Sequence, residues 1–171
     1  PAHQVLFPPN YDNEFSDIFR RQSAPRVPTV YVCAQEKAHR REGWDEYEPL
    51  FVMANAPPEP PGEKRDETTW KRLRDTVLHR LRVNELIDED DDIVWKRTPG
   101  DLAERFPGSR GSIYGAASNS QLAAFQRPAN RVDAVEGLYL AGGSAHPGGG
   151  LPLCLQSGRQ AATDLLDDVS E

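Results

Sequence analysis

The stretch whose reading decides the fold is Leu138–Ala162, LYLAGGSAHPGGGLPLCLQSGRQAA. A short apolar run breaks into five glycines and two prolines between Gly142 and Pro152, then gives way to a helical pattern. The spacing predicts a buried strand, a glycine-rich turn, and a helix from about Pro152 to Val169. Glycine lets the backbone turn tightly and lets a ligand approach without a Cβ in the way. A helix N-terminus behind it offers unpaired N–H donors and roughly half a positive charge. Pro152 suits the first helical turn, where its missing N–H loses nothing. Ser157, Gly158, Ala161 and Ala162 form a stripe of small residues, predicted to pack closely on a sheet or another backbone. No lysine follows the glycines, which excludes a phosphate-transferring loop, and the G-x-G-x-x-G dinucleotide pattern is absent. From these residues alone, a ligand cradle and a plain surface loop both remain open.

Upstream, ETTWKRLRDTVLHRLRVNEL places Trp70, Leu73, Val77, Leu78 and Leu81 at helical spacing, with Lys and Arg opposite, and Thr68 or Thr69 as the cap. TPGDLAERF opens a second helix with Thr98 as cap, Pro99 at the first position and Asp101 three residues on. PTVYVCAQE and PLFVMANA read as strands, paired antiparallel across the charged segment EKAHRREGWDEYE, and DIVWKR as a short strand. APPEPPGEKRDE is a stiff, solvated linker. NYDNEFSDIFRR puts Phe15, Ile18 and Phe19 on one helical face, capped by Asn10 or Asp12. The order of helices and strands predicts an α+β fold ending in a βα unit.

The chain has 171 residues and a formal charge of −7, which argues against a nucleic-acid partner. Cys33 and Cys154 sit in apolar patterns and read as buried thiols, which favours a reducing, cytoplasmic setting. The acidic run Glu89–Asp92 lacks the glycine and alternating ligands of a calcium loop and reads as a solvated turn; no metal site is expected. His3, His39 and His79 have no partner pattern. No run approaches the length of a membrane span, and no signal peptide is visible. The chain begins PAHQVLF without Met, which suggests a piece of a longer protein.

RPANR…GLYLAGGSAHPGGGLPLCLQSGRQAA resembles the C-terminal end of FAD-dependent carotenoid desaturases, the phytoene-desaturase type of the flavin amine-oxidase superfamily. The matching residues are Arg127, Pro128, Asn130 and Arg131; Leu138 to Gly143; His146, Pro147, Gly148, Gly150 and Pro152; and Ser157, Gly158, Ala161 and Ala162. HQVLFPPNYDNEFSDIF, PTVYVCAQ and SRGSIYG are similar to that family's middle portion.

The resemblance implies that residues 1–126 are part of a substrate-binding domain with a mainly antiparallel sheet and covering helices. Residues 127–171 would be the closing strand-loop-helix of an FAD-binding α/β domain whose N-terminal dinucleotide-binding unit is absent from this chain. It implies that Gly142, Gly143 and Ser144 pass close to the FAD pyrophosphate and ribityl chain. Gly148, Gly149, Gly150, Leu151 and Pro152 would lie toward the isoalloxazine, where the helix N-terminus stabilises the charge of the reduced ring. Ser144 departs from the acidic residue common in the wider superfamily. His146 is the one candidate base; no other catalytic residue is named. The implied substrate is a phytoene-like polyene, which gives up a hydride in carotenoid biosynthesis. Peripheral membrane contact is an expectation, with the Trp70–Leu81 helix a candidate surface. These residues alone are expected to hold FAD weakly or not at all and not to desaturate. A carotenoid isomerase or retinol-saturase-like enzyme, or a non-catalytic binding module, is the alternative.

Overall fold

In Val30–Cys33 the side chains of Val30 and Val32 point into a buried core with Tyr31 half-exposed between them, the period-two signature of a strand, and Cys33 is buried as well. In the computed structural model of the chain, which describes residues 2–34, 47–113 and 127–170, this segment is β2 and lies between two neighbours. β1, His3–Leu6, pairs antiparallel with it in the register His3↔Cys33 to Leu6↔Val30. β3, Phe51–Ala54, pairs antiparallel on the other edge, Val30↔Ala54 to Cys33↔Phe51. The predicted antiparallel pair is therefore present, and β1, whose sequence HQVL carries no β-branched run, extends it. The chain divides into two compact units, Pro1–Gly111 and Ser112–Glu171.

In the first unit α1, Tyr11–Phe15, runs directly into a π-helical turn, Ser16–Arg20. Asn10 caps it by accepting from the Asn13 amide at 3.2 Å, one of the two expected caps. The face buried is not the predicted Phe15–Ile18–Phe19 stripe. Ile18 is buried, but so are Glu14 and Asp17, while Phe15 and Phe19 remain 44% and 49% exposed. The carboxylates are bonded, which is what makes their burial tolerable. Glu14 accepts from the Thr29 amide at 2.8 Å, the Thr29 hydroxyl and Asn55 Nδ2 at 3.2 Å, joining α1 to the ends of β2 and β3. Asp17 accepts from Arg21 and from the Arg26 amide at 3.3 Å. Outside, Phe7, Tyr11, Phe15 and Phe19 form a ladder with successive ring separations of 5.7, 4.9 and 5.7 Å.

α2, Glu67–Val83, carries the predicted apolar stripe, with Trp70 and Leu81 buried. Leu81 packs with Val30 and Val32, and Val77 lies against them, so the stripe serves the core. Its cap is Asp66, which accepts from the Thr68 amide at 2.9 Å, rather than Thr68 or Thr69. α3, Pro99–Arg105, has the full capping box foreseen: Thr98 Oγ1 accepts from the Asp101 amide and Asp101 accepts from the Thr98 amide at 2.7 Å. DIVWKR is not a strand. It pairs with nothing among the described residues, and Val94 and Trp95 stand 97% and 62% exposed.

The second unit holds α4, Leu151–Ser170. The preceding apolar run is not the predicted buried strand but a single antiparallel bridge, Arg131↔Tyr139, with Leu138 exposed. The small-residue stripe is half used: Ser157 and Ala161 are buried one turn apart, whereas Ala162 is exposed and a Cβ on Gly158 would meet nothing within 4 Å. Helices with a three-stranded antiparallel sheet make the fold α+β. Among the described residues no helix is long and apolar enough to cross a membrane. Most of EKAHRREGWDEYE, with His39, and the segment from Tyr114 to Gln126 lie outside the described residues.

Candidate functional site

Glycines with φ of +121°, +138° and +102° at 142, 148 and 150 shape the loop before α4, a region that L side chains avoid. These conformations are held by side chains from the RPANR element. Arg127 Nη1 donates to the Gly143 carbonyl at 2.6 Å, and a Cβ on Gly148 would sit 3.4 Å from Arg127 Cζ. The amide of His146 donates to the Pro128 carbonyl at 2.9 Å.

Asn130, 3% exposed, is the hub. Its Nδ2 lies 2.8 Å from the Leu140 carbonyl, 3.1 Å from that of His146, 3.2 Å from that of Ser157 and 2.9 Å from Ser157 Oγ. Its own carbonyl accepts from the Leu140 amide at 2.7 Å. Ser157 Oγ, fully buried, accepts in turn from the Gly142 amide at 3.1 Å. One amide thus ties together the run before the loop, the middle of the loop and the second turn of α4. This also explains why GLYLAGG is no longer strand: Leu140 spends both backbone groups on Asn130.

Further along, Arg131 donates to the Asp164 carbonyl at 3.2 Å and to Asp168, and the Tyr139 hydroxyl also donates to Asp168. That hydrogen bond holds the Tyr139 phenol above its ordinary range, because ionisation would bring a second anion against the carboxylate.

What the loop leaves open decides its chemistry. At Gly142 and Gly150 an added Cβ would meet nothing within 4 Å, so it is not packing within this chain that keeps the space beside them clear. The first turn of α4 carries no acidic residue, and Leu151 is 82% exposed. A backbone turn without side chains, a helix start free of competing carboxylates, an apolar residue at its tip and a guanidinium on the loop suit a large ring attached to a diphosphate. The residues present therefore fit FAD.

The predicted cofactor residues Gly142, Gly143, Ser144, Gly148, Gly149, Gly150, Leu151 and Pro152 lie on this one loop and helix start. His146 is exposed; its backbone is fixed, but its ring has no hydrogen bond among the described residues. It lines an open groove with Asn130, Gln160 and Asp164. The roles of Asn130 and Ser157 were not predictable from spacing, since 27 residues separate them. The sequence signal was their place in the RPANR and SGRQAA elements that carry the resemblance. Among the described residues no group of His, Cys, Asp and Glu is arranged to hold a metal.

No family model matches the chain. Individual proteins do. It is 39% identical over 168 residues to the hydroxyneurosporene desaturase of Rubrivivax gelatinosus, covering 96% of this chain and 31% of that protein. It is 35% identical over 170 residues to the 1-hydroxycarotenoid 3,4-desaturase of a Flavobacterium species, covering 98% and 34%. It is 32% identical over 170 residues to the carotenoid 3,4-desaturase of Haloarcula japonica, again 98% and 34%. The chain is thus homologous to oxidoreductases that act on polyenes. More particularly, it is a homologue of carotenoid desaturases, and it spans about a third of the length of the curated relatives it matches.

Proposed function

We propose that this chain is the C-terminal part of an FAD-dependent carotenoid desaturase, in which the loop from Gly142 to Gly150 and the start of α4 close around the flavin. The observation that carries this reading is the combination of homology over nearly the whole chain with a glycine loop whose outer side is clear of side chains. FAD, when bound, supplies the acceptor for a hydride from a saturated C–C unit of the polyene, the neighbouring carbon losing a proton as the double bond forms.

The chain's own residues do the holding. Gly142, Gly143 and Ser144 line the diphosphate and ribityl side, with Arg127 adding positive charge at Gly143. Gly148, Gly149 and Gly150 let the backbone approach the ring. Leu151 and Pro152 present the amide-rich start of α4, which favours developing negative charge on a bound ring. Asn130 and Ser157 keep loop and helix in one arrangement, so that no reorganisation is needed when charge develops. His146 we assign to the loop's shape rather than to proton transfer, because its backbone is bonded at both ends while its ring has no hydrogen bond among the described residues.

The substrate is a carotenoid, and hydroxylated carotenoids, for which two of the relatives are named, are within that class. The test is conversion by the protein at its full natural length. Carotenoid incubated with flavin-loaded enzyme should gain conjugated double bonds and absorb at longer wavelength. Recovery of unchanged pigment, or of isomerised pigment with the same number of double bonds, would overturn the reading.

A further inference from the structure

One face of the sheet in the first unit is buried, and on the other Cys33 alone among the strand residues is covered. Val30 and Val32 turn toward α2 and the core, while the alternate residues Val5, Phe51 and Met53 are 45%, 52% and 47% exposed. β1 leads on to Phe7, 63% exposed, whose ring begins the aromatic ladder that ends at Phe19. Together these form one long apolar strip. The strand part from His3 to Phe7 covers about 13 Å at about 3.3 Å per residue, and the rings continue it in steps of 5.7, 4.9 and 5.7 Å.

No carboxylate, ammonium or guanidinium belongs to the sheet part of the strip. Charge complementarity therefore argues against an acidic or basic peptide and for a neutral, elongated hydrocarbon. A polar pair stands on the same face: Tyr31, between Val5 and Met53 on the central strand, brings its hydroxyl within 2.8 Å of His3 Nδ1 at the end of the strip, with the two rings stacked at 6.0 Å. A hydroxyl and an imidazole at the end of an apolar strip recognise a ligand of matching polarity, apolar along its length and hydroxylated at its tip.

We propose that this sheet face receives the apolar chain of a carotenoid and that Tyr31, with His3, hydrogen-bonds a hydroxyl at the carotenoid's end, so that this pair sets a preference for hydroxylated substrate. The proposal rests on the carotenoid reading above but concerns a different part of the chain. His3 is exposed and Tyr31 half-buried, so neither has to leave the core for a substrate hydroxyl to join them.

The experiment measures binding and turnover separately on the full-length, flavin-loaded protein, with hydroxyneurosporene and neurosporene presented in identical detergent micelles. Binding is read by quenching of tryptophan fluorescence. The native protein should bind hydroxyneurosporene about fivefold more tightly, the worth of one net hydrogen bond. Tyr31→Phe should abolish that preference while leaving neurosporene affinity and the thermal midpoint unchanged. Equal affinity for the two pigments in the native protein, or a preference that survives Tyr31→Phe, would overturn the proposal. Tyr31-dependent selectivity without any turnover supports it while contradicting the desaturase reading; turnover with indifferent binding does the reverse.

Discussion

Asn130 Nδ2 sits 2.9 Å from Ser157 Oγ, and both side chains are buried. Through this pair the glycine loop and α4 are held as one piece, since Ser157 also receives the Gly142 amide. Asn130→Asp keeps the shape but turns a donor into an acceptor facing three carbonyls, and it buries a charge. A loss of about 3 kcal/mol is expected, larger than for Asn130→Ala. Ser157→Ala leaves the Gly142 amide unpaired and should cost about 1–2 kcal/mol. Chemical denaturation checks the order; a milder effect from Asp than from Ala would contradict it.

The three positive-φ glycines of the loop leave room for a Cβ, so backbone strain alone sets the cost of replacing them. Gly142→Ala and Gly150→Ala meet open space, so each should lose about 1–2 kcal/mol through φ alone. Gly148→Ala adds only an ordinary van der Waals contact, 3.4 Å from the Arg127 guanidinium, and should lose about as much. The three substitutions should therefore be equal in cost, a comparison that thermal melts can make.

Asp17 predicts the acid limb of stability. Its hydrogen bond from Arg21, aided by the Arg26 amide and opposed by burial, holds its carboxyl below the ordinary aspartate value of 3.8. A folded value below the unfolded one means the folded state binds the proton less readily. Its contribution is complete above the ordinary value and lost as pH falls through the lower, folded one. Asp17→Asn should therefore destabilise the protein near neutrality and flatten its response below about pH 4. Parallel loss of stability with acid in both proteins would refute this.

Thr98→Ala removes half of the capping box of α3 and should cost about 1 kcal/mol without touching the second unit. Hydrogen exchange, faster at the start of α3 and unchanged in α4, is the check.

Much of the first unit was legible because its signals are local. Thr98, Pro99 and Asp101 specify a helix start with no help from elsewhere, and β2 carries a β-branched run and β3 an apolar one that stand out. Where tertiary partners decide, spacing misleads. DIVWKR has strand composition but no neighbouring strand to bond. Phe15 and Phe19 have core composition, yet Glu14 and Asp17 take the buried places because Thr29, Asn55 and Arg21 satisfy their oxygens. In the second unit the glycines pointed to the loop, but what holds it, Asn130 reaching across 27 residues, left no periodic trace.

The central claim is that the loop and the start of α4 hold FAD, and Leu151→Asp tests it most directly. A carboxylate at a helix N-terminus stabilises the helix by about 0.3–1 kcal/mol, so folding should be kept or improved. The same carboxylate would occupy the side from which the ring and its charge approach. At full natural length, the native protein should purify yellow with about one flavin per chain, and Leu151→Asp should be largely colourless with an unchanged or higher melting temperature. Full flavin occupancy in that variant would contradict the account.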